Sequence, residues 1–258
     1  MIRGLMTDDE WAYFEPFLIH RGGGRPPRNH RRVLDAVFWL MRTGAPWRDL
    51  PEEFGNWNSI FRQFRRWADS GIWDVILEGL AESGVADATL QMIDATIIRA
   101  HHCAAGGRGG PSATRSVARA AAGFSTKINA RTNAEGLPIG VVITPGQAHD
   151  VTAFPALMQE IERDPEQMLG DRGYDSEAVR NEIEERGGEA AIPSTANRKV
   201  QHVVDKALYA LRNRIERFFN RAKNSRRVAT RYDKLMESFA AFVLLACIRI
   251  WIKFVHAT

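Results

Sequence analysis

The sequence has little cysteine and no apolar segment at its N-terminus. Its only two cysteines, Cys103 and Cys247, stand far apart and lack metal-type spacing, which excludes a disulfide framework and indicates a reducing, cytoplasmic setting. The first residues contain no apolar core of a signal peptide. The most apolar stretch, residues 239–254, is short for a membrane span and contains Arg249 and Lys253. We therefore expect a buried C-terminal helix there.

Charge of one sign does not dominate. The 35 Lys and Arg residues exceed the 31 Asp and Glu residues by only four, which excludes a basic tail protein. The 258 residues are 45% hydrophobic and 26% charged, as in a soluble globular chain of one or two domains. The sequence pI near 9.3 and the clustering of arginine nevertheless favour a polyanionic partner.

Residues 1–86 predict several short helices. Thr7 and Glu10 fit a capping box, Asn29 can cap a second helix, and Asn58 can cap a third. The third helix has three arginines largely outside its apolar stripe: Arg62, Arg65 and Arg66. This arrangement resembles a helix-turn-helix module that inserts one helix in the major groove of DNA. A plain helical domain with solvated arginines is the alternative.

From residue 90 the pattern predicts strands. Residues 92–98 are apolar and β-branched, and they place Asp94 in mid-strand, where an isolated carboxylate needs a partner or a metal. Residues 101–119 read as a basic loop without periodicity. Strands are then expected at 124–131, 137–144, 168–171 and 190–193, with a hairpin between the first two and helices between the others.

Residues 209–223 predict one amphipathic helix without Pro or Gly. At about 100° per residue, one sector of this helix combines a carboxylate with two cations and a phenol: Tyr209, Arg212, Glu216 and Lys223. A surface helix with ordinary ion pairs is the alternative.

The spacing Tyr-x2-Arg-x3-Glu-x6-Lys of these four residues resembles the C-terminal signature of the DDE transposases of bacterial insertion sequences, of the IS-five type. Residues 42–51, 124–128, 146–150 and 171–175 also resemble blocks of that family. The resemblance implies an α/β fold, with a ribonuclease-H-like mixed sheet flanked by helices. It implies a helix-turn-helix-like DNA-binding domain at 1–86 and a catalytic domain at 87–258.

The resemblance implies catalysis by Asp94, Asp171 and Glu216. These carboxylates would hold Mg²⁺, or Mn²⁺, and a site without a Cys or His cluster argues against zinc. Asp175 competes with Asp171, but we expect it to cap the next helix. DNA contacts are expected from Tyr209, Arg212 and Lys223, and from Arg62, Arg65 and Arg66. Lys127 is a further candidate for contact with DNA or the site, and a structural role is its alternative.

The implied function is an insertion-sequence transposase that binds terminal inverted repeats and catalyses Mg²⁺-dependent DNA cleavage and strand transfer. Its partners would be double-stranded DNA and further copies of itself, in a homodimer or a larger synaptic complex, in a bacterial cytoplasm at the nucleoid. A non-catalytic DNA-binding protein derived from a transposase and a metal-dependent nuclease of the same fold are alternatives. Residues 115–123 depart from the Gly/Arg-rich run of the family, which favours the first alternative.

Overall fold

The N-terminal part of the chain is helical. The computed structural model describes residues 5–18, 29–104, 118–120, 123–159 and 163–256. Four helices come first: α1 (Asp8–Leu18), α2 (His30–Thr43), α3 (Trp57–Asp69) and α4 (Ile72–Glu82). Most of the predicted basic loop at 101–119, and of the departure at 115–123, lies outside the described residues.

Polar side chains set where these helices begin. The Glu10 amide donates to Thr7 Oγ1 and the Thr7 amide donates to Glu10 Oε2, both at 3.1 Å, which confirms the capping box. Asn29 caps α2 as predicted, since its side chain accepts from the Arg32 amide. The prediction for α3 was wrong by two residues. Asn56 caps this helix, because its side chain accepts from the amides of Asn58 and Ser59.

A mixed sheet follows, as predicted. Its strands are β1 (Leu90–Ala100), β2 (Ala118–Ala120), β3 (Gly123–Thr132), β4 (Pro138–Pro145), β5 (Gln167–Leu169), β6 (Glu189–Ala191) and β7 (Thr230–Arg231). β1 is antiparallel to β3, and β3 is antiparallel to β4, which confirms the hairpin. β1 is parallel to β5, and β5 is parallel to β6. The long central strand is therefore β1, with β3 on one side and β5 on the other.

Helices cover both faces of the sheet, because neighbouring residues of β1 point to opposite sides. Ile93 packs in a cluster with side chains of α5 (Phe154–Gln159) and α6 (Glu177–Glu185). Met92 belongs to the main core, which contains α8 (Asn213–Lys223), α9 (Arg226–Ala229) and α10 (Met236–Val255). The helix expected after Asp150 is described as a tight helical turn at Asp150–Ala153 followed by α5 up to Gln159, and residues 160–162 lie outside the described part.

The C-terminal helix α10 is a core helix. By length and composition it could cross a membrane, but 72% of its most apolar window is buried within the fold. This confirms the expected buried helix.

The N-terminal helices pack directly on α10 and α9. The rings of Phe64 and Phe242 stack with centroids 4.7 Å apart. Arg227 forms a buried ion pair with Asp233 at 3.1 Å and donates to the Ala45 carbonyl at 2.7 Å. A single hydrophobic core thus extends on both sides of residue 86. The division of function at that residue stays a prediction.

Candidate active site

Strand register brings two carboxylates side by side. Met92 of β1 is paired with Leu169 of β5 in a parallel ladder. Asp94 lies two residues further along β1, and Asp171 lies two residues beyond the last paired residue of β5. The charge of Asp171 raises the pKa of Asp94, so the two carboxylates are neighbours. The strand expected at 168–171 was wrong at this end: β5 ends at Leu169, and Asp171 caps the turn that follows, where its Oδ1 accepts from the Gly173 amide at 2.8 Å. β1 therefore supplies one carboxylate of this pair, and the turn after β5 supplies the other.

Glu216 lies on α8. A break in the helical chain, which the sequence did not predict, precedes α8. The expected single helix at 209–223 was wrong, because the chain forms α7 (Lys206–Ala210) and then α8. Between them the Arg212 amide donates to the Tyr209 carbonyl and the Ile215 amide to the Arg212 carbonyl, both at 3.1 Å. These bonds span three residues and tighten the chain.

Arg212 joins the third carboxylate to the first. Its Nη2 lies 3.4 Å from Asp94 Oδ2 and 3.3 Å from Glu216 Oε1. The Asp94 side chain is 15% exposed and that of Glu216 is 58% exposed. Glu216 therefore faces solvent at the mouth of the site, with Asp94 beneath it.

The other two members of the helical signature also face this site. Lys223 Nζ donates to Thr96 Oγ1 at 2.6 Å, and Thr96 is two residues beyond Asp94 on the same face of β1. The Tyr209 ring centroid lies 5.9 Å from the Arg212 guanidinium carbon. The structure thus brings Tyr209, Arg212, Glu216 and Lys223 to the strand that carries Asp94, despite the helix break.

The electrostatics of the site favour a bound cation. Burial raises the pKa of Asp94 to about 6, Arg212 and the Ala95 amide oppose this, and the charges of Asp171 and Glu216 raise it further. Two of the three carboxylates, those of Asp94 and Glu216, pair with the Arg212 guanidinium. An all-oxygen donor set with excess negative charge fits hard divalent ions such as Mg²⁺ or Mn²⁺.

The three carboxylates are spread wider than a single-ion cluster. Among the described side chains, the only group of three potential ligands with atoms all within 4.8 Å is His101, His102 and Cys103. That group lies beyond the far end of β1, outside this site, and its spacing did not indicate a metal cluster in the sequence. A spread of carboxylates suits two ions about 3.5–4 Å apart, as in two-metal sites.

Asp150 is a fourth carboxylate that the sequence reasoning missed. A Cβ at Gly173 would come within 2.9 Å of Asp171 Oδ1 and 3.2 Å of Asp150 Oδ2, so both carboxylates border the same small space. Burial first, and then the charges of Asp150, Asp94 and Asp171, strongly raise the pKa of Tyr174. The sequence block at residues 146–150, which resembles a block of the transposase family, could have indicated Asp150 because it ends on this carboxylate.

Lys127 is internal. Its ammonium donates to Asp150 Oδ1 and to the Ala148 carbonyl, both at 2.6 Å, and the residue is 8% exposed. This environment favours the structural alternative for Lys127 over a DNA contact.

Asp175 forms ion pairs outside the candidate site. Its carboxylate forms ion pairs with Arg180 at 2.8 Å and Arg198 at 3.0 Å. The prediction that it caps the next helix was wrong, because Ser176 caps α6 by accepting from the Val179 amide. Burial alone would raise the pKa of Asp175, but the Thr195 amide and the arginines lower it below the ordinary value. An ionised and neutralised carboxylate of this kind has a structural role.

The three arginines of α3 differ in their surroundings. Arg62 and Arg66 are exposed to solvent. Arg65 is half-buried and bonded to Asp69 at 2.9 Å and to Ser238 of α10 at 2.8 Å. Two of the three predicted DNA contacts are thus accessible, and the third links α3 to the core helix.

Comparison with known proteins agrees with this arrangement. Residues 6–77 match the family described as "Putative transposase of IS4/5 family", and residues 86–251 match "Transposase DDE domain". The chain is similar to the "Uncharacterized protein y4sN" of Sinorhizobium fredii, with 41% identity over 105 residues, which is 40% of this chain and 82% of that protein.

Two further likenesses extend the comparison. A "Putative transposase for insertion sequence element IS6501" of Brucella ovis is 33% identical over 131 residues, or 50% of this chain and 100% of that protein. Among solved structures, the piggyBac transposase in its synaptic complex with hairpin DNA has a TM-score of 0.51 at 10% identity. That match covers 96% of this chain and 71% of the other, and it shows a shared fold.

Proposed function

Because the chain belongs to the DDE transposases of insertion sequences, we propose that it binds the terminal inverted repeats of its own element and joins the element's ends to target DNA. The observation that carries the proposal is the convergence of Asp94, Asp171 and Glu216 from β1, from the turn after β5 and from α8. We assign catalysis to these three residues, and their shared position supports the assignment.

Asp94, Asp171 and Glu216 would hold the divalent metal that the DDE domain implies, and we propose Mg²⁺, with Mn²⁺ as a substitute. When bound, such ions stabilise the charge on the attacking and leaving oxygens of an in-line phosphoryl transfer. The position of Asp94 beside two further carboxylates supports this assignment, because burial raises its pKa to about 6 and the charges of Asp171 and Glu216 raise it further.

The chain's own cations position the carboxylates and the DNA. Arg212 bridges Asp94 and Glu216, and it has donors left for a phosphate oxygen because a guanidinium carries five N–H groups. Lys223, fixed by Thr96, supplies a second positive charge on the same face of β1. Tyr209 lies beside Arg212, where its ring can stack on a base.

The reaction is two successive phosphoryl transfers. Water attacks the phosphorus at the element's end, and the bond to the 3′-oxygen breaks. The freed 3′-hydroxyl then attacks a phosphorus of the target, forms a new phosphodiester and releases a target 3′-hydroxyl. One bond forms for each that breaks, so the joining step needs no external energy source.

We assign recognition of the inverted repeats to residues 1–86, with Arg62 and Arg66 as the exposed contacts of α3. Residues 87–258 then form the catalytic domain. Two ends must be cut together, so a homodimer or larger synaptic complex is expected. We propose that the protein acts in the bacterial cytoplasm at the nucleoid, because its proposed substrate is the host's DNA.

A joining assay tests the proposal. It combines the purified chain, a duplex ending in the repeat that flanks the gene, a target plasmid and Mg²⁺. The matched variants are Glu216→Gln, which removes one site charge, and Glu184→Gln, which removes a charge from α6 on the other face of the sheet. We expect joined products from the wild type and Glu184→Gln, and none from Glu216→Gln.

Other products would support the alternatives. Nicked but unjoined DNA would make the protein a nuclease of the same fold. Sequence-specific binding without cleavage at any Mg²⁺ or Mn²⁺ concentration would make it a DNA-binding derivative of a transposase. Joining by Glu216→Gln would contradict the assignment of that residue.

A further inference from the structure

A groove of positive charge runs along the side of α8 that is turned away from the carboxylates. Part of it lies between α8 and the β3–β4 turn, and part is a cavity of about 510 Å³ between α2, α8 and α10. We call the two parts together the basic groove. Its cationic lining residues are Arg42, Arg214, Arg217, Arg221, Arg249 and Lys253, and Glu135 is the one carboxylate among the described lining residues.

The groove is separate from the active site. Arg214, Arg217 and Arg221 project roughly 100–160° around α8 from Glu216. A DNA segment at the carboxylates therefore cannot occupy the groove with the same phosphates. The groove must meet a more distant part of that duplex or another duplex.

Contacts within the protein leave much of this charge available. Arg214 donates to the Ala134 carbonyl, and Arg221 donates to the Gly136 carbonyl at 2.9 Å, so each uses only part of its five donors. Arg249 lies 3.7 Å from Glu10. Arg217 and Lys253 are exposed, and neither forms an ion pair within the described part of the chain.

The dimensions suit a nucleic acid backbone. The arginines from 214 to 221 span about 10 Å along the helix, a length that covers roughly three phosphates of one DNA strand. Asn220 and Asn224 lie among them and offer neutral donors of the kind that bind phosphate oxygens.

The groove also lies far from the arginines of α3. Arg65 bonds to Ser238 near the start of α10, whereas Lys253 lies near its end. Fifteen helical residues separate the two positions by about 22 Å. A protein that holds DNA at both places must contact two segments at once.

We propose that the basic groove binds the phosphate backbone of double-stranded DNA, at a segment distinct from those held by α3 and by the carboxylates. The inference rests on the proposed function, since it gives a transposase a further DNA-binding surface that does not depend on base sequence. Backbone contacts carry no sequence information, so the groove treats inverted-repeat and unrelated DNA alike.

The test compares Arg217→Gln/Lys253→Gln with the control Arg163→Gln/Arg186→Gln, which removes the same charge at two positions outside the groove lining. The affinity of the full chain for a 30-bp unrelated duplex and for a duplex with the inverted repeat is measured from about 50 to 200 mM salt. Each lost phosphate contact lowers the slope of log affinity against log salt by about 0.9. We therefore expect the groove variant to lose about tenfold less affinity than the wild type over that range, with both duplexes.

An unchanged slope, or the same change in the control, would overturn the proposal. So would a groove variant that fails to self-associate in sedimentation while its salt slope stays that of the wild type, because the groove would then bind protein. Unchanged thermal melting shows that the variant is folded. The joining assay with Glu216→Gln tests the proposed function separately. If the wild type binds DNA through the groove but forms no joined products, the proposed function is contradicted and the inference about the groove is not.

Discussion

At the scale of single residues, Asp94 carries its charge at a thermodynamic cost. Its pKa in the fold is about 6, above the ordinary 3.8, so folding favours the protonated form. Stability from this group is therefore fully present below pH 3.8 and is lost as the pH rises through 6. A shift of this size corresponds to about 3 kcal/mol at neutral pH in the absence of metal.

Asp94→Asn should remove that cost together with the activity. In EDTA at pH 7.5 we expect the variant to melt several degrees above the wild type, with the difference vanishing near pH 4. Adding Mg²⁺ should stabilise the wild type and leave the variant unchanged. Thermal melts over this pH range measure both effects. A variant that melts below the wild type at pH 7.5 in EDTA would contradict the account of Asp94.

The Lys127–Asp150 pair gives a second prediction. Lys127→Met leaves the Asp150 charge unpaired beside Asp171, and we expect a loss of about 2–3 kcal/mol in the free energy of unfolding. The double variant Lys127→Met/Asp150→Asn should recover most of it, because neither charge remains. Urea denaturation measures the free energies.

DNA binding separates the two roles considered for Lys127. If the residue is structural, the salt slope of DNA binding stays that of the wild type in both variants. A slope reduced by about 0.9 in Lys127→Met would instead establish a phosphate contact.

At the scale of elements, the β3–β4 turn is fitted against α8. Gly136 has φ +73°, and a Cβ there would lie 2.7 Å from the Arg214 carbonyl oxygen. Gly84 has the same φ of +73° with nothing within 4 Å, so it is a matched control. Gly84→Ala should cost about 1 kcal/mol through backbone strain, and Gly136→Ala clearly more through the backbone clash. If urea denaturation shows equal losses in the free energy of unfolding for the two variants, the contact between this turn and α8 adjusts to the added Cβ without destabilising the fold.

Elements with local causes were predictable from the sequence. Thr7 with Glu10, and Asn29, fix helix starts through bonds within one turn, and the alternation of β1 places Met92 and Ile93 on opposite faces. The break between α7 and α8 was not predictable, because it contains neither Pro nor Gly. Leu208 and Leu211 there pack against the main core, so contacts distant in sequence decide the geometry.

The candidate site also has parts that the sequence predicted and parts that it did not. The positions of Asp94, Asp171 and Glu216 at one place were expected from the family resemblance, and the register of β1 and β5 gives the reason for the first two. Asp150 was missed because its proximity to Asp171 depends on how the Gly173 turn folds back. The interior position of Lys127 depends on that same carboxylate.

At the scale of the whole molecule, the core shared by the N-terminal helices and α10 predicts cooperative unfolding. Six of the seven tryptophans lie in residues 1–86, so their fluorescence reports on the helical part, whereas far-ultraviolet circular dichroism reports on the whole chain. The stacked pair Phe64–Phe242 and the buried pair Arg227–Asp233 connect the two parts. We expect the two signals to give one coincident urea transition.

Two separate transitions would show that residues 1–86 unfold as an independent domain. Arg227→Met is the matching variant, because it removes the bond to Ala45 and the partner of Asp233. It should lower the midpoint of both signals together by breaking a buried ion pair.

The central place of β1 also bears on gene expression. A ribosome that stopped or changed frame between residues 104 and 118 would release a chain that has β1 but lacks β3, β5 and β7, its partners in the sheet. Such a product would present an eleven-residue strand with both edges open, a template for aggregation and a substrate for proteolysis. It would also hold only the first of the three carboxylates. We expect the host to clear such half-products, so a chain that ends in this interval would add no active enzyme.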